Sequence, residues 1–353
     1  MTIRAGVVGL GFMGRRYAET LARLGGVQLA AVTDIRPEVA NEVAASTGAR
    51  AFPDAATLAR DESVDAVFVC TPEDAHEAAA VVALESGKHL LVEKPISHDL
   101  AAAARIREAA VGTGTTVMVG HLLRFEPRWA TARRIIAAGE IGEVVSLATR
   151  RVGNIGDQGV LRGRTSIPLY YGVHDLDILR WFADRRPISM QAERRAGVLR
   201  AAGYDVDDLY CAILRFEGDI LATAELGWHI PASAASAPSS GITVVGTNGW
   251  LRIEQGRTGL EVYAGEGGGH DIAVDVSFWP EVHGRPAGAL VNELEHFLKA
   301  VRVGTPPLVP LDDGIEALRL SLAMEHAATT GERVDLRNFG TAELGAAELG
   351  RMP

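Results

Sequence analysis

A glycine-rich segment near the start of the chain has the residue types and spacing of a turn that cradles phosphates. It matches G-x-G-x-x-G and reads Gly9-Leu10-Gly11-Phe12-Met13-Gly14. Because an apolar run precedes it and a helical pattern follows, Gly9 would allow a tight turn, Gly11 would let the backbone approach a pyrophosphate, and Gly14 would let the helix pack on the strand. The helix start would supply free N–H groups and partial positive charge. The alternative is a strand–helix turn that binds no ligand.

An aspartate at the end of the next apolar run completes the pattern of a dinucleotide site. Asp34 follows the glycines by roughly 20 residues, where a carboxylate accepts hydrogen bonds from ribose hydroxyls and repels a 2′-phosphate. Ile35 and Arg36 come directly after it. Arg36 could instead hold a 2′-phosphate or stack on adenine, or it could be an exposed surface arginine. The sequence therefore favours NAD and leaves NADP open.

Two further segments end predicted strands of the same region. Cys70-Thr71-Pro72 is followed by His76 at a helix start, and Glu93-Lys94-Pro95 follows the next apolar run. Ligands bind outside the carboxyl ends of parallel strands, so we expect the first of these turns to line the nicotinamide side. We expect Cys70 to be a small buried residue. His76 is either a cofactor contact or an exposed first-turn histidine.

The first third of the chain alternates strand and helix patterns. The predicted strands are 3–9, 27–33, 64–70, 89–92 and 116–120, and the predicted helices are 15–24, 37–47, 75–86 and 100–111. This alternation is typical of βαβ units, and right-handed crossovers would place helices on both faces of a doubly wound parallel sheet. We therefore predict an α/β Rossmann domain over residues 1–121.

The pattern changes after about residue 122, where strands follow strands. The predicted strands include 144–151, 206–216, 220–228 and 242–245, and the predicted helices are 128–138, part of 169–182, 292–303 and 314–330. Consecutive strands favour a large, mostly antiparallel open sheet, so we predict an α+β domain over residues 122–336. Residues 231–240 are predicted to be a surface loop, and 337–353 a C-terminal tail.

Composition excludes several classes of protein. The chain has 353 residues, a formal net charge of −10 and two cysteines. An acidic chain without a basic block is a poor candidate for binding nucleic acid or an anionic membrane. We find no transmembrane run or signal-peptide pattern, and two cysteines cannot form a disulfide framework, so we predict a cytoplasmic protein. The histidine spacings are not those of a metal site, and we predict no catalytic metal.

The motifs, taken in order, resemble those of the glucose-fructose oxidoreductase/inositol dehydrogenase (Gfo/Idh/MocA) family. The resemblance runs from about residue 3 to about residue 336, and its C-terminal part includes Asn292-Glu293-Leu294-Glu295-His296-Phe297-Leu298. It implies NAD(P)-linked oxidation or reduction at a hydroxyl or carbonyl, commonly of sugars and cyclitols. It also implies that the outer face of the second sheet forms the contact of a homodimer or homotetramer. The residues expected to contact the cofactor are Gly9, Gly11, Phe12, Met13, Gly14, Asp34, Ile35, Arg36, Cys70, Thr71, Pro72, His76, Glu93 and Lys94.

The resemblance also implies a catalytic pair. The lysine of Glu-Lys-Pro is the family's catalytic lysine, which assigns that role to Lys94, and the family's histidine corresponds to His174. A lysine beside the nicotinamide can stabilise and orient the reacting oxygen. A histidine titrates near neutrality and can take or return the hydroxyl proton. The alternatives are a surface lysine after a strand and a histidine that caps a helix or packs in the core.

One position departs from the family pattern. Many relatives have an aspartate four residues before this histidine, where this chain has Tyr170. On a helix these positions share a face, so Tyr170 could point at the site, although a phenol is a poor substitute for a carboxylate that orients imidazolium. Asp177 could supply that carboxylate, while Asp175 is expected to be a first-turn helix charge. Tyr170 could equally be a packed aromatic residue.

Contacts with substrate are assigned more loosely. His121 and Arg124 follow the last predicted Rossmann strand, and Arg124 either binds a substrate oxygen or pairs with an acidic residue. Three polar residues of a glycine-interrupted loop are further candidates: Asn154, Arg162 and Arg164. Trp228 and His229 end a predicted strand and could also contact the substrate.

The leading hypothesis is thus an oxidoreductase of a small polyhydroxylated molecule. The alternatives are a redox-neutral glycosidase or lyase that uses tightly held NAD, a non-catalytic nucleotide-binding sensor, and reduction of an unsaturated bond with Tyr170 as proton donor. Lys94 and His174 argue against a sensor, which has no need of a proton-transfer pair.

Overall fold

The chain folds into two compact units, each built from separate segments. The computed structural model describes residues 2–154, 165–231, 239–255, 259–263, 269–273 and 277–344. The first unit contains the chain up to Phe125, the segment Glu281–Leu318 and the residues from Gly340 onward, and the second contains Glu126–Pro280 and Arg319–Phe339. The domains predicted from sequence are continuous segments, whereas in the structure the segment Glu281–Leu318 comes back to the first unit. The sequence does not indicate this because a helical pattern does not reveal which sheet the helix packs against.

The first unit contains a six-stranded parallel sheet, which confirms the predicted Rossmann class. The strands are β1 Ile3–Val8, β2 Val27–Thr33, β3 Arg50–Ala51, β4 Ala66–Val69, β5 His89–Glu93 and β6 Val117–Gly120. Their order is β3-β2-β1-β4-β5-β6. The central strands are nearly continuous apolar runs because both faces of the sheet are covered. The short β3 has too little pattern to be predicted.

Helices connect these strands and begin at recognisable caps. They are α1 Phe12–Leu21, α2 Pro37–Thr47, α3 Ala55–Arg60, α4 His76–Glu85 and α5 Leu100–Ala110. Asp54 and Asp99 precede α3 and α5, and each carboxylate accepts a backbone N–H of the first turn at 2.7 Å. A 3₁₀ turn, Leu122–Phe125, follows β6.

The second unit contains a seven-stranded mixed, mostly antiparallel sheet, as predicted. Its order is β12-β11-β7-β10-β9-β8-β17, and only the pair β7–β10 is parallel among its described pairs. The strands are β7 Val144–Asn154, β8 Pro187–Arg195, β9 Leu209–Phe216, β10 Ile220–Ile230, β11 Ser239–Gly246, β12 Trp250–Gln255 and β17 Val334–Asp335. Two small hairpins are β13 Gly259–Tyr263 with β14 Gly269–Ala273, and β15 Glu281–Val282 with β16 Arg285–Pro286. Residues 232–238 of the predicted loop lie outside the described residues, and its last two residues belong to β11.

The remaining helices complete the two units. They are α6 Pro127–Ala137, α7 Val173–Ala183, α8 Val198–Ala201, α9 Ala289–Val303, α10 Leu311–Thr330 and α11 Thr341–Leu344. A π-helical turn, Pro168–Gly172, leads directly into α7. In the second unit, α7 packs against β7 and β10. In the first, α9 packs on α1 and on the 3₁₀ turn.

The second sheet has one buried and one exposed face. Residues alternate between them along β9 and β10, which is the pattern of a half-covered sheet. Four large apolar side chains on the uncovered face remain exposed: Ile213, Leu221, Val245 and Trp250. Cross-strand register places Ile213, Thr223 and Ala148 side by side on this face.

Candidate active site

The glycine turn of the first unit has the geometry of a phosphate cradle. Gly9 has a φ of +85°, and a Cβ there would lie 2.7 Å from the backbone nitrogen of Thr71. A Cβ on Gly14 would lie 1.8 Å from the carbonyl oxygen of Gly9, so helix and strand can approach only with glycine at this position. A Cβ on Gly11 would meet nothing within 4 Å, and Gly11 is exposed. The backbone is therefore open to a ligand at Gly11.

The start of α1 supplies donors to this open space. Within the described part of the chain, no side chain caps the N-terminus of α1, and its first turn carries no acidic residue. A helix start has N–H groups without partners inside the helix, and together with the helix dipole these suit an anion. Phe12 at the helix start is largely exposed and has the Arg16 guanidinium 3.6 Å from its ring centroid. The turn therefore fits the pyrophosphate of a dinucleotide.

Asp34 is tied to the same turn. Its Oδ2 accepts the backbone N–H of Leu10 at 2.7 Å, and its Oδ1 accepts the backbone N–H of Arg36 at 3.0 Å. Partial burial raises the pKa of Asp34, but the hydrogen bonds from Arg36 and Leu10 outweigh it and hold the pKa below its usual value. The Arg36 side chain is more than half exposed and pairs with Asp34, and Ile35 is 97% exposed. An ionised carboxylate thus stands beside an exposed apolar surface, as an adenosine ribose requires.

The turn after β4 carries an unsatisfied polar atom. Thr71 Oγ1 is buried and has no hydrogen-bond partner among the described residues. The neighbouring Cys70 is buried, as expected, and burial raises the pKa of its thiol well above the usual value. Cys70 is therefore a neutral packing residue, while Thr71 has a free hydroxyl at the edge where a nicotinamide would lie.

His76 joins the turns that follow β4 and β5. The histidine is 1% exposed, and its ring nitrogens lie 2.9 Å from the carbonyl oxygen of Pro95 and 2.8 Å from that of Thr71. Burial lowers its pKa, opposed by these carbonyls, so the ring is neutral and donates to one of them. A direct cofactor contact of His76 stays a prediction, and the observed geometry makes it a brace between two turns of the expected site.

Lys94 follows β5 beside a buried carboxyl. Glu93 is buried, and its Oε2 accepts the backbone N–H of Lys94 at 3.1 Å. Burial raises the pKa of Glu93, and the charge of Lys94 opposes that shift. Lys94 itself is half-buried, and the Lys94–Pro95 peptide bond is cis. The lysine therefore stands at the carboxyl edge of the sheet, the edge that also carries the glycine turn.

The two residues after β6 are enclosed. His121 is 0% exposed. Arg124 is also buried, and its Nη1 donates to Asp313 Oδ2 at 2.7 Å and to the carbonyl oxygen of Leu308 at 3.2 Å. The structure thus places Arg124 in the ion pair that was one of its two predicted roles, and gives no support to a substrate contact of His121.

His174 lies in the second unit, at the start of α7. It is half-buried, as is Tyr170 on the π-helical turn four residues before it, whereas Asp177 is buried. Asp175 differs from expectation: it is a first-turn residue but a buried one, which accepts hydrogen bonds from Thr149 Oγ1 at 2.6 Å and from Arg151 Nε. An ion pair from β7 therefore anchors the helix end that carries His174.

Tyr170 belongs to an aromatic cluster. Its ring centroid lies 5.3 Å from that of Trp228 and 5.6 Å from that of Tyr171. Trp228 Nε1 donates to the Tyr171 hydroxyl at 3.0 Å. A Cβ on Gly153 would lie 2.3 Å from Trp228 Nε1, so glycine is needed there. The cluster agrees with the packed-aromatic interpretation of Tyr170, while Trp228 is buried and His229 half-buried at the end of β10.

The predicted site residues are distributed over both units of the chain. Lys94 belongs to the first unit and His174 to the second, and each is described within its own unit. Asn154 ends β7, whereas Arg162 and Arg164 lie outside the described residues. In the part of the chain that the structure describes, no three His, Cys, Asp or Glu side chains converge as a metal site would require. No helix there is both long and apolar enough to cross a membrane.

The sheet order, the glycine turn and Asp34 together define a dinucleotide-binding protein of the Rossmann type. A family model described as "Oxidoreductase family, NAD-binding Rossmann fold" matches residues 3–121, and the GFO/IDH/MocA C-terminal domain model matches residues 129–252. The chain belongs to the Gfo/Idh/MocA family and is an NAD-binding oxidoreductase.

Relatives match over most of their length. The chain is 29% identical to a scyllo-inositol 2-dehydrogenase (NAD(+)) from Bacillus subtilis, over 95% of this chain and 96% of the relative. It is 31% identical to an inositol 2-dehydrogenase from Acidothermus cellulolyticus, over 71% of this chain and 73% of the relative. Among solved structures, a probable dehydrogenase from Thermotoga maritima has a TM-score of 0.81 at 25% identity, covering 96% of this chain and all of that one.

Proposed function

We propose that the chain is an NAD-dependent dehydrogenase that acts on a CH–OH group of an inositol-like cyclitol, a sugar or a sugar derivative. The observation that carries the proposal is Lys94, a half-buried lysine beside the buried Glu93 at the sheet edge that also carries the glycine turn. The inositol dehydrogenases among its relatives support the substrate class.

The first unit would hold the coenzyme. Gly11 and the start of α1 would receive the pyrophosphate, Asp34 the adenosine ribose, and the turn containing Thr71 the nicotinamide end. The ionised Asp34 repels a 2′-phosphate, so NAD is preferred over NADP. When bound, NAD accepts or returns the hydride.

Lys94 would bind the reacting oxygen. As the substrate hydroxyl loses its proton, negative charge develops on the oxygen, and an ammonium placed beforehand stabilises that charge without reorganisation. The buried Glu93 favours the charged form of Lys94 because opposite charges act on each other strongly away from water. Removal of such a positive group typically lowers kcat by a factor of about 10²–10³.

His174 would move the hydroxyl proton. In oxidation the imidazole of His174 would accept the O–H proton of the substrate, and in reduction it would return that proton to the oxygen. Tyr170 sits in the aromatic cluster, so we assign it to the wall of the site rather than to proton transfer. Asp177 is the remaining carboxyl that we propose to orient the imidazole.

A panel assay tests the activity. Purified protein is mixed with NAD or NADP and with inositols, aldoses and sugar acids, and formation of reduced coenzyme is followed by its absorbance. We expect turnover with NAD and a polyol, and a strong loss of kcat in His174→Ala with NAD affinity nearly unchanged. The control His326→Ala removes an exposed histidine of the same unit and should behave like wild type. Tight NAD binding without turnover on any polyol would favour a redox-neutral hydrolase or lyase, or a sensor.

We also propose that the chain assembles as a homodimer or homotetramer through the open face of the second sheet. Exposed apolar residues are concentrated on this face, including Ile213, Leu221 and Trp250. Exposed apolar side chains that share one face of a sheet are typical of association sites. The paired charges of Arg150 and Glu225 on the same face can be satisfied within one copy.

A further inference from the structure

Three polar side chains meet in the interior of the first unit, and the family resemblance gives them no common role. Tyr17 on α1 and Glu293 on α9 are 0% exposed, and Glu93 at the end of β5 is 6% exposed. The Tyr17 hydroxyl lies 2.8 Å from Glu293 Oε2, and its interaction with the Glu93 carboxyl lowers the pKa of that carboxyl. A Cβ on Gly120 would lie 3.3 Å from the Tyr17 hydroxyl, so glycine leaves room for this group. We call the three side chains the Tyr17 cluster.

Hydrogen-bond counting fixes the number of protons in the Tyr17 cluster. A phenol has one hydrogen and can donate to one carboxylate only. If both glutamates were ionised, one would face the hydroxyl lone pair and two like charges would be buried together. One glutamate is therefore protonated and donates to Tyr17, and Tyr17 donates to the other.

The surroundings decide which glutamate carries the proton. Glu93 accepts the backbone N–H of Lys94 and feels the charge of that lysine. Glu293 has no such cation: its Oε1 is buried and without a hydrogen-bond partner among the described residues. Burial, and then the charge of Glu93, raise the pKa of Glu293 well above its usual value. Glu293 is thus the acid and Glu93 the carboxylate.

We propose that Tyr17 and Glu293 are positioning residues for Lys94. Glu293 holds the shared proton, Tyr17 donates to Glu93, and Glu93 stays anionic beside Lys94, which keeps the lysine amine in its ammonium form. The inference deepens the proposed function and rests on it, because there the positive charge of Lys94 stabilises the reacting oxygen.

A further titratable group that acts on this cluster is the Cys70 thiol, which directly follows β4. Burial, followed by the charges of Glu93 and Glu293, raises its pKa well above the usual value. The thiol is therefore neutral and leaves the charge balance to Lys94 and the two glutamates.

The test measures the protonation of Lys94 directly. The full-length protein, without coenzyme or substrate, is treated with trace acetic anhydride over a range of pH, and acetylation of Lys94 is quantified by peptide mass spectrometry. In Tyr17→Phe, Glu93 loses the Tyr17 hydroxyl, keeps only the backbone N–H of Lys94 as a donor, and takes up a proton more readily. We expect the midpoint of Lys94 acetylation to fall by about one pH unit, a tenfold change in its protonation equilibrium.

A matched control separates this effect from loss of a buried hydrogen bond in general. Tyr210→Phe removes another tyrosine–carboxylate hydrogen bond, 3.2 Å from the Tyr210 hydroxyl to Asp207 Oδ2 in the second unit. It should leave the Lys94 midpoint unchanged. An unchanged midpoint in Tyr17→Phe, in protein that unfolds cooperatively, would overturn the proposal.

Substitutions of Glu293 test where the proton resides. The amide of Glu293→Gln can donate to Tyr17 as the acid does, so this variant should keep the wild-type midpoint. Glu293→Leu removes the donor that polarises Tyr17 but leaves the Tyr17 hydrogen on Glu93, so it should lower the midpoint by less than Tyr17→Phe does. An equal shift in both would show that Glu293 acts as an anion and would overturn the proposal. Because the assay contains no substrate, these outcomes are independent of whether the protein oxidises a polyol, and absence of turnover would count against the proposed function alone.

Discussion

The Asp34 carboxylate accepts a hydrogen bond from the backbone N–H of Leu10 at 2.7 Å, so the residue expected to select the coenzyme is fixed to the turn expected to bind its phosphates. This link joins the ends of β1 and β2 and orients the carboxylate before any ligand arrives. Preorganisation of this kind reduces the entropy lost on binding.

Replacement of Asp34 should change coenzyme preference. In Asp34→Ser the repulsion of a 2′-phosphate is lost, and Arg36 is released to pair with it. We expect the ratio of kcat/KM for NAD to that for NADP to fall at least tenfold, or about 1.4 kcal/mol. Glu38→Ser removes an exposed carboxylate just beyond the same turn and is the control. An unchanged ratio in Asp34→Ser would remove Asp34 from the coenzyme site.

Loss of the His76 brace should affect both stability and turnover. His76→Ala leaves one of the carbonyl groups of Thr71 and Pro95 without its ring N–H donor, and an unsatisfied buried acceptor costs about 1–3 kcal/mol. We expect the free energy of unfolding to fall by about that amount and kcat to fall because Lys94 is less well held. Denaturant unfolding and steady-state kinetics measure the two effects. Wild-type values in both would show that the brace is dispensable.

A charge on the open face of the second sheet should prevent assembly. Ile213→Arg places a cation among exposed apolar residues, and burial of an unpaired charge in an interface is costly. We expect light scattering coupled to size exclusion to show a monomer, and the exposed Cys211 on the same face to react faster with iodoacetamide than in wild type. Val303→Arg, at an exposed apolar position of the first unit, should retain the native assembly. A wild-type protein that is itself monomeric would contradict the proposal.

Glu293 should make stability depend on pH. Its pKa is raised from the usual 4.5 in the folded chain, so above about pH 4.5 the folded state keeps a proton that the unfolded chain releases. Stability conferred by that proton is complete below about pH 4.5 and is lost as the pH rises through the folded pKa. Glu293→Gln cannot ionise at this position. Between about pH 4.5 and the folded-state pKa of Glu293, the free energy of unfolding of wild type should therefore fall relative to that of Glu293→Gln, by about 1.4 kcal/mol for each pH unit.

Denaturant unfolding over a pH series measures this difference. Glu295→Gln, which changes an exposed glutamate of the same helix, should follow the wild-type curve. Parallel curves for Glu293→Gln and wild type would show that Glu293 ionises normally.

The sequence predicted those parts of the fold that local pattern determines. The strands β1, β2, β4 and β5 are apolar runs, and α2 begins with Pro37 and ends at Thr47 directly before Gly48, so their positions follow from neighbouring residues. The assignment of α9 to the first unit did not follow, because an amphipathic helix can bury its apolar face against either sheet. The burial of Asp175 was missed for the same reason: its partner Arg151 lies on a different element.

In the candidate site, too, the residues predicted from sequence are those whose roles depend on nearby residues of the chain. Gly9, Gly14 and Asp34 are recognisable from spacing, since their roles depend on one strand–helix–strand unit. The Tyr17 cluster joins residues 276 positions apart, and nothing local distinguishes Tyr17 from any apolar-face tyrosine. The one available signal was Glu293 itself, an acidic residue on the buried face of an amphipathic helix.

The most direct test of the account is hydride transfer by wild type and Lys94→Ala, each with saturating NAD and myo- or scyllo-inositol. NAD affinity is measured in parallel, and Lys299→Ala, an exposed lysine of the same unit, serves as the control. The account predicts that wild type and Lys299→Ala form NADH, while Lys94→Ala binds NAD normally and loses at least about 10²-fold in kcat. Equal turnover by Lys94→Ala and wild type would contradict it.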